Sequence, residues 1–570
     1  MFDKSIKMKQ SIYTYGFIVG IVALLFSSCE FLELEPSNEF ERNSYYEDQK
    51  QAEMALAAVY GKMAESYKEH MSIWMSAGTD EFLHNKLAST SRGSEMSKFT
   101  YNAFNTDVKK VWTQSYSLIS SANDVIYNLE GRDSIEYLSL SERQAMVGEA
   151  LTLRAFTYLN LVRMFEYIPV RTLPFVDIAE DNGDLHLKSQ APDVVYTQII
   201  DDLTAAISML PEEPINYGRI SKYAAHGILA RAYLHFGGQR VNGGELGVEE
   251  CYKQALANCE AIVGSGKHSL LSDYTDVFLN QIQQSQDDRE LIWEVNFLYT
   301  SERDLGGYIG NYNGPKVAGA VNTDPEANPY TYVTATLNQS YGLAFEETPE
   351  TNPDQRHSWN VIPYNINYKN GEYVFPGNIG NKLRWFGGKW RRVQRVSTEN
   401  ENGGVTYSAL PLETGAINRW RTSINYPLVR YADVLLMKAE LINQLYGPTI
   451  DAIDNVNAVR IRAGASLAQD LLASEGNAIT QESLFELIKD ERSRELCFEG
   501  HRRFDLVRWG TLIETMQEQN ALMLNHPDYV AAKDEFLTYP GNAVAERHNV
   551  FPIPNDEITL NKNIKQHPLW

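Results

Sequence analysis

Glu491-Arg492-Ser493-Arg494-Glu495-Leu496-Cys497-Phe498-Glu499-Gly500-His501-Arg502-Arg503-Phe504-Asp505-Leu506-Val507-Arg508-Trp509 is the stretch on which the reading of this chain turns. Arginines and carboxylates alternate with Leu496, Phe498, Phe504, Leu506 and Trp509 at close to helical spacing, and no simple amphipathic face accounts for them. Such a run buries its apolar positions and pairs its guanidinium groups with neighbouring carboxylates. It predicts a structural ion-pair network within a helical protein.

Working outward to the N-terminus, Lys4, Lys7 and Lys9 precede an uncharged stretch from Gly16 to Phe26 that ends in Ser27-Ser28-Cys29. The apolar core is short for a bilayer span, and small residues directly before a cysteine match a lipoprotein cleavage pattern. Residues 1–28 therefore read as a signal peptide, Cys29 as the lipidated first residue of the mature chain, and 29–40 as a tether containing the acidic run Glu30-Phe31-Leu32-Glu33-Leu34-Glu35-Pro36. No later segment is apolar for long enough to cross a membrane as a helix, so acyl chains are the expected anchor. The formal charge of −23 makes nucleic acid and anionic lipid poor partners, because both need clustered Lys and Arg. Cys251 and Cys259 fall eight residues apart in one expected helix, about 12 Å at a rise of about 1.5 Å per residue, so they cannot bond to each other. With no CxxC spacing and no partnered histidines, no disulfide framework, metal site or cofactor is expected.

No linker or composition break divides residues 41–570, which read as one compound, mainly α domain. Val147, Leu151, Ala155, Tyr158, Val162 and Phe165 recur at spacings of three or four, predicting a helix over 141–166 that opens on a Ser141/Gln144 capping box and stops before Pro169. Further helices are expected at about 193–210, 221–236 and 249–263. Alanines 224, 225, 230 and 232 in the second of these permit close helix approach. Pairs at 48–68 with 107–130 and at 428–446 with 449–463 complete a tetratricopeptide-like scaffold over about 41–70, 107–266 and 427–510, followed by a C-terminal segment 511–570. Two stretches break the helical pattern, 71–106 and 267–426, rich in Gly, Asn, Pro and Tyr with short β-like runs such as Glu290 to Phe297. They form the expected irregular ligand-binding region, since binding residues concentrate on loops carried by a rigid scaffold.

The Glu491–Trp509 run resembles the signature segment of the SusD/RagB family of outer-membrane nutrient-binding lipoproteins. The resemblance extends, in family order, to Gly148-Glu149-Ala150-Leu151-Thr152-Leu153-Arg154-Ala155-Phe156, to Gly218-Arg219-Ile220-Ser221, to Leu428-Val429-Arg430-Tyr431-Ala432-Asp433, to Asn457-Ala458-Val459-Arg460-Ile461-Arg462-Ala463-Gly464, and to Phe551-Pro552-Ile553-Pro554. The acidic tether looks like a surface-export signal of Bacteroidetes lipoproteins. The resemblance implies a helical scaffold with one irregular binding face, held by lipid on the extracellular side of the outer membrane. It also implies a SusC-like TonB-dependent β-barrel partner and oligosaccharide capture, with peptide capture as the RagB-like alternative. No family motif aligns over 300–426.

A sugar ring offers an apolar face and a hydroxyl edge, so its site needs exposed aromatic platforms beside Asp, Asn, Gln or Arg. The first insertion supplies Trp74, Asp80, Tyr101 and Asn102 as candidates; the second supplies Tyr308, Tyr312, Trp359, Trp385 and Trp390. Trp112 and Trp293 read as core residues, and Lys389, Arg391 and Arg392 as a solvated basic turn or a receiver of an acidic sugar. The rival classes are a surface glycoside hydrolase using two carboxylates and a ligand-free adhesion protein. The chain has no GxSxG, HExxH, P-loop or dinucleotide fingerprint, and no catalytic residue is nominated.

Overall fold

The computed structural model describes residues 46–84, 93–130, 137–174, 186–287, 289–318, 331–342, 349–369, 372–399, 405–414, 418 and 420–570. The leader, Cys29 and the tether lie outside these residues. The described residues from Glu53 onward form one compact unit. No described helix is long and apolar enough to cross a membrane.

Helix α1 (Gln49–Tyr67) is followed by the first insertion, which contains strand β1 (Phe82–His84). Five long helices come next: α2 (Thr106–Glu130), α3 (Leu140–Phe165), α4 (Pro192–Met209), α5 (Lys222–Phe236) and α6 (Val248–Gly264). Each packs on its successor, α2 on α3, α3 on α4, α4 on α5 and α5 on α6, which is the tetratricopeptide-like array the periodicity predicts. The principal helical partner of α2 is thus α3 rather than the 48–68 helix, which reaches it through Lys62 Nζ donating to Ser117 Oγ at 2.6 Å. Local chemistry sets the boundaries. Ser139 caps α3 and exchanges hydrogen bonds with Glu142, so the capping box lies two residues before the expected Ser141/Gln144 pair. Pro192 opens α4, and Ser221 caps α5.

After α6 and α7 (Tyr274–Gln283), the chain leaves the array through β2 (Leu291–Val295). The second insertion then runs through β3 (Thr331–Val333), α8 (Gln355–Asn360), β4 (Val361–Ile362), β5 (Phe386–Gly387) and the hairpin β6 (Val393–Glu399) and β7 (Val405–Pro411). It returns through β8 (Tyr426–Arg430), antiparallel to β2 with Tyr426 opposite Val295. The helix expected over 428–446 therefore starts only at Tyr431, because Val429 and Arg430 are spent on strand pairing, opposite Trp293 and Leu291, with Leu428 at an irregularity of the same strand. Behind β8, Gly227 of α5 is a close approach: a Cβ there would stand 2.6 Å from Val429 Cγ1. Helices α9 (Tyr431–Tyr446), α10 (Ile450–Arg462) and α11 (Gln481–Leu496) resume the array, with α9 packed on α6, α10 and α11. Helix α12 (Arg502–Trp509) closes the 491–509 segment.

That segment is the buried ionic hub its alternating charges predict. Glu491 accepts from Arg356 and Arg460, each at 2.6 Å. Glu495 accepts from Arg462 at 2.6 Å and Arg430 at 3.0 Å, while Glu499 accepts from Lys389 at 2.7 Å and Arg430 at 2.8 Å. Glu290 binds Arg430 and Arg462 as well. On the other side Arg492 donates to Asp433 and Asp505, Arg508 to Glu440 and Asp505, and Arg502 to Asp80. Burial raises the Glu491 carboxyl, but Arg356 and Arg460 outweigh it and hold it at about 2; Glu499, beside Arg430 and Lys389, ends at about 2 in the same way. The hub joins α9, α10 and α11 to both insertions, since Asp80 belongs to the first and Arg356 and Lys389 to the second.

Candidate functional site

The two insertions meet. β1 pairs with β3, Phe82 opposite Val333 and His84 opposite Thr331, in an antiparallel sheet ordered β1-β3-β5-β4. The aromatic side chains expected on that face, however, mostly point inward. Trp359 is buried and donates its indole N–H to Lys389 O at 3.1 Å; Trp385 donates to Ile379 O at 3.0 Å; Trp390, fully buried, donates to Gln281 Oε1 at 2.8 Å. Asp80 is sequestered by Arg502 at 2.8 and 2.5 Å, and Tyr101 accepts from Arg503 at 2.7 Å among His548, Phe551 and Trp570. Tyr312 is buried and donates to Glu69 at 3.2 Å. These six are structural in this conformation. A loop-rich segment can bury aromatics because its own short strands assemble a core, here Val317, Ile362, Tyr364, Ile366, Phe386 and Val393.

The basic turn is buried too, and it is neither solvated nor open to an acidic sugar. Lys389 pairs with Glu499, Arg392 with Glu413, and Arg391 lies 4.5 Å from the centroid of the Trp359 ring. Trp112 and Trp293 are core residues as expected. Trp74 closes a π-helical turn, His70–Trp74, and its side chain lies outside what is described. Asn102 is exposed, its carbonyl oxygen turned back on Phe104 N at 2.9 Å. Tyr308 is half-buried, stacked on Tyr312 at 5.4 Å with the Arg421 guanidinium 4.0 Å from its centroid.

Beside Tyr308 lies an open cleft of about 340 Å³. Its walls are the last turns of α1 (Tyr60, Met63, Ala64, Lys68), the loop Tyr217-Gly218-Arg219, the exit of β2 (Glu294 to Phe297), and Asp304 and Leu305 of a short hairpin that pairs Leu298 with Leu305. Tyr308 is not itself part of the wall: its N–H donates to Lys68 O, and the Arg421 that covers its ring bonds Asp304, which joins it to two lining residues. Two buried carboxylates support it, Glu294 in the lining and Glu149 behind Tyr60 and Arg219. Glu149 receives the Tyr60 hydroxyl at 2.5 Å and a two-pronged Arg219, through Nη2 at 2.7 Å and through Nε. Among the described residues Glu294 receives only neutral donors, the hydroxyl of Tyr217 at 2.6 Å and the amides of Asn425 at 2.7 Å and Gln281 at 2.9 Å. Burial raises the pKa of both acids, and these hydrogen bonds oppose the rise. Gly218, at φ +83°, lets its loop press on the β2 exit, where a Cβ would stand 1.9 Å from Asn296 Nδ2. The result is aromatic and apolar wall above fixed polar groups, with Lys68, Asn296 and Asp304 at the mouth. Among the described residues no cluster of His, Cys, Asp and Glu could hold a metal ion.

Sequence reasoning did not nominate Tyr60, Tyr217, Phe297, Asp304 or Leu305. Only the Gly218-Arg219-Ile220-Ser221 block signalled that the neighbouring loop was special.

A helical array that carries a long insertion between two paired strands, stapled by a buried charged hub, defines a class of scaffolded binding protein. The chain belongs to the SusD/RagB family: residues 289–570 match the SusD family model, and residues 30–234 match a second model described as starch-binding associating with outer membrane. It is 26% identical to the SusD-like protein P25 of Formosa agariphila over 95% of this chain and 96% of that one. It is 22% identical to the starch-binding protein SusD of Bacteroides thetaiotaomicron over 81% of each. Among solved structures, a SusD homologue from Bacteroides thetaiotaomicron superposes with a TM-score of 0.77 at 24% identity, covering 93% of this chain and 98% of that one. A laminarin-binding SusD-like protein gives 0.65 at 22%, covering 92% and 100%.

Proposed function

We propose that this protein is a cell-surface lipoprotein of the outer membrane, anchored through Cys29, that captures an oligosaccharide and delivers it to a SusC-like TonB-dependent transporter. The relatives support the ligand class, because one is named as starch-binding and a structural neighbour as laminarin-binding. The observation that carries the site is the cleft between α1, the Tyr217-Gly218-Arg219 loop and the exit of β2, which sets the aromatic and apolar wall of Tyr60, Tyr217, Phe297 and Leu305 against fixed hydrogen-bonding groups, the pairing a sugar ring requires. Capture proceeds without turnover, since Glu149 and Glu294 are held by Arg219, Tyr60 and Tyr217 and neither is free to exchange protons with a ligand. An open cleft encloses a ligand incompletely, so affinity is expected between about micromolar and millimolar.

Calorimetry against parallel glycan and peptide panels tests the reading. At least one glycan should bind, and Leu305→Arg, which fills the mouth, and Tyr308→Ala should each weaken it about tenfold or more. Binding of peptides alone would replace the carbohydrate reading with the RagB-like one. Unimpaired binding in both variants would move the site elsewhere. Separately, Cys29→Ala should release the protein from the outer-membrane fraction, and mild-detergent purification of the tagged lipoprotein should recover a β-barrel partner in near-equal amount.

A further inference from the structure

The cleft between α1, the Tyr217-Gly218-Arg219 loop and the exit of β2 balances its charges in pairs, with one exception. Arg219 is committed to Glu149, Lys68 Nζ lies 3.7 Å from Glu65, and Arg421 bonds Asp304 at 3.2 Å. Of the three carboxylates in the lining, Glu65, Glu294 and Asp304, only Glu294 has no bonded cation among the described residues.

The neighbours of Glu294 nevertheless favour its charged form. Trp390 Nε1 donates to Gln281 Oε1 at 2.8 Å, and Phe297 N–H donates to Asn425 Oδ1 at 3.0 Å. Each amide is thereby turned to present its amino group to Glu294, Asn425 to Oε1 and Gln281 to Oε2. Both carboxylate oxygens accept from fixed donors, which opposes the upward pull of burial on the carboxyl. An acidic sugar entering here meets a fixed negative charge, and every cation on the wall already has a carboxylate to leave. Withdrawing a ligand carboxylate from water without a counter-charge is unfavourable, and like charges side by side add to the cost. A neutral pyranose carries no such penalty: its hydroxyls donate and accept, and its C–H face suits Tyr60, Phe297 and Leu305. The formal charge of −23 acts in the same direction at longer range. Building on the reading of this cleft as the glycan site, we propose that it selects neutral oligosaccharides over uronate-bearing ones, with Glu294 as the residue that sets the preference.

The test is calorimetry on the full mature chain with three neutral trisaccharides, α-1,4- and β-1,3-linked glucose and β-1,4-linked mannose, each set against the same sugar oxidised at C6 to the uronate. At least one neutral trisaccharide should bind, and its uronate should bind about tenfold more weakly or worse. Glu294→Gln, which keeps the shape and removes the charge, should narrow that ratio about threefold or more. Glu65→Gln, on the exposed side of α1, leaves Lys68 without its carboxylate and should narrow it as well. Uronates binding as tightly as their neutral counterparts would overturn the preference while leaving glycan capture standing. A ratio unchanged in Glu294→Gln would overturn the role of Glu294; if that variant does not fold, an unchanged ratio in Glu65→Gln overturns the electrostatic account. Binding by none of the six sugars would count against the glycan reading of the cleft itself, and the preference would fall with it.

Discussion

The helical array and the second insertion are stabilised by different physics. In the array, α3 and α5 bury long apolar stripes against their neighbours, and the small residues of α5 let backbones approach closely. The insertion has only short strands and a small core of its own, and it is fastened to the array by charge, through Arg356 and Lys389 reaching Glu491, Glu495 and Glu499. Apolar burial tolerates loose sequence rules, whereas a buried ion pair fails when either partner is removed. The aromatics of the insertion then serve as packing around that charged attachment, and the open cleft lies to one side of it.

The largest expected effect tests the fastening. Glu495→Ala removes a carboxylate shared by Arg356, Arg430 and Arg462, leaving Arg462 to Glu290 and Arg430 to Glu290 and Glu499, and should cost about 3–5 kcal/mol in denaturant unfolding. A loss no greater than that of the exposed Glu475→Ala would mean that charge does not hold the insertion. Next, Gly227→Ala drives a Cβ into Val429 where the array meets β8, and should cost about 1–3 kcal/mol; an unchanged melting midpoint would show that the approach of α5 to β8 is compliant.

Acid and alkali should separate the regions further. Glu81, which accepts from Phe498 N–H at 3.2 Å, has its carboxyl pushed up by burial to about 8, despite Arg502. Its protonated form suits the fold, so its contribution is complete below about 4.5 and fades as pH rises through about 8; Glu81→Gln should gain on the wild type across that window. The hub behaves oppositely. Glu491 and Glu499 titrate at about 2 in the fold, so their stabilisation is present above the ordinary carboxylate range and is lost as pH falls from about 4.5 toward 2. A urea midpoint that varies identically with pH in wild type and Glu81→Gln would remove Glu81 from this account. The smallest effect belongs to the turn residue Asn102, where Asn102→Ala should change stability by no more than about 0.5 kcal/mol. A larger loss, read by the same melts, would show that the first insertion depends on that exposed turn.

The helices were legible because their signals are local. Val195, Ile199 and Leu203 place α4 within a residue or two of its observed ends, and the alternation of charge in 491–509 announced a buried network before any partner was known. The candidate site was not legible, because what buries a side chain there lies far along the chain. Nothing near Trp390 points to Gln281, nothing near Lys389 points to Glu499, and nothing near Tyr217 points to Glu294. Abundance of tyrosine and tryptophan in a glycine-rich stretch was read as exposure, when the short strands of that stretch had already enclosed most of them.

Tyr426 opposite Val295 has an engineering consequence. The intervening chain starts and finishes on neighbouring strands, so both ends of any substitute would be held at strand spacing, and lengthening it is cheap, about 0.6 kcal/mol for each doubling of a flexible loop. The segment between them is in effect a cartridge, and transplanting it between relatives would exchange the Asn296, Phe297, Asp304 and Leu305 side of the cleft while α1 and the Tyr217-Gly218-Arg219 loop keep the other. The transplant has one chemical condition: it must bring its own arginine and lysine to the sockets that Arg356 and Lys389 now fill, or three acids stay buried without enough partners.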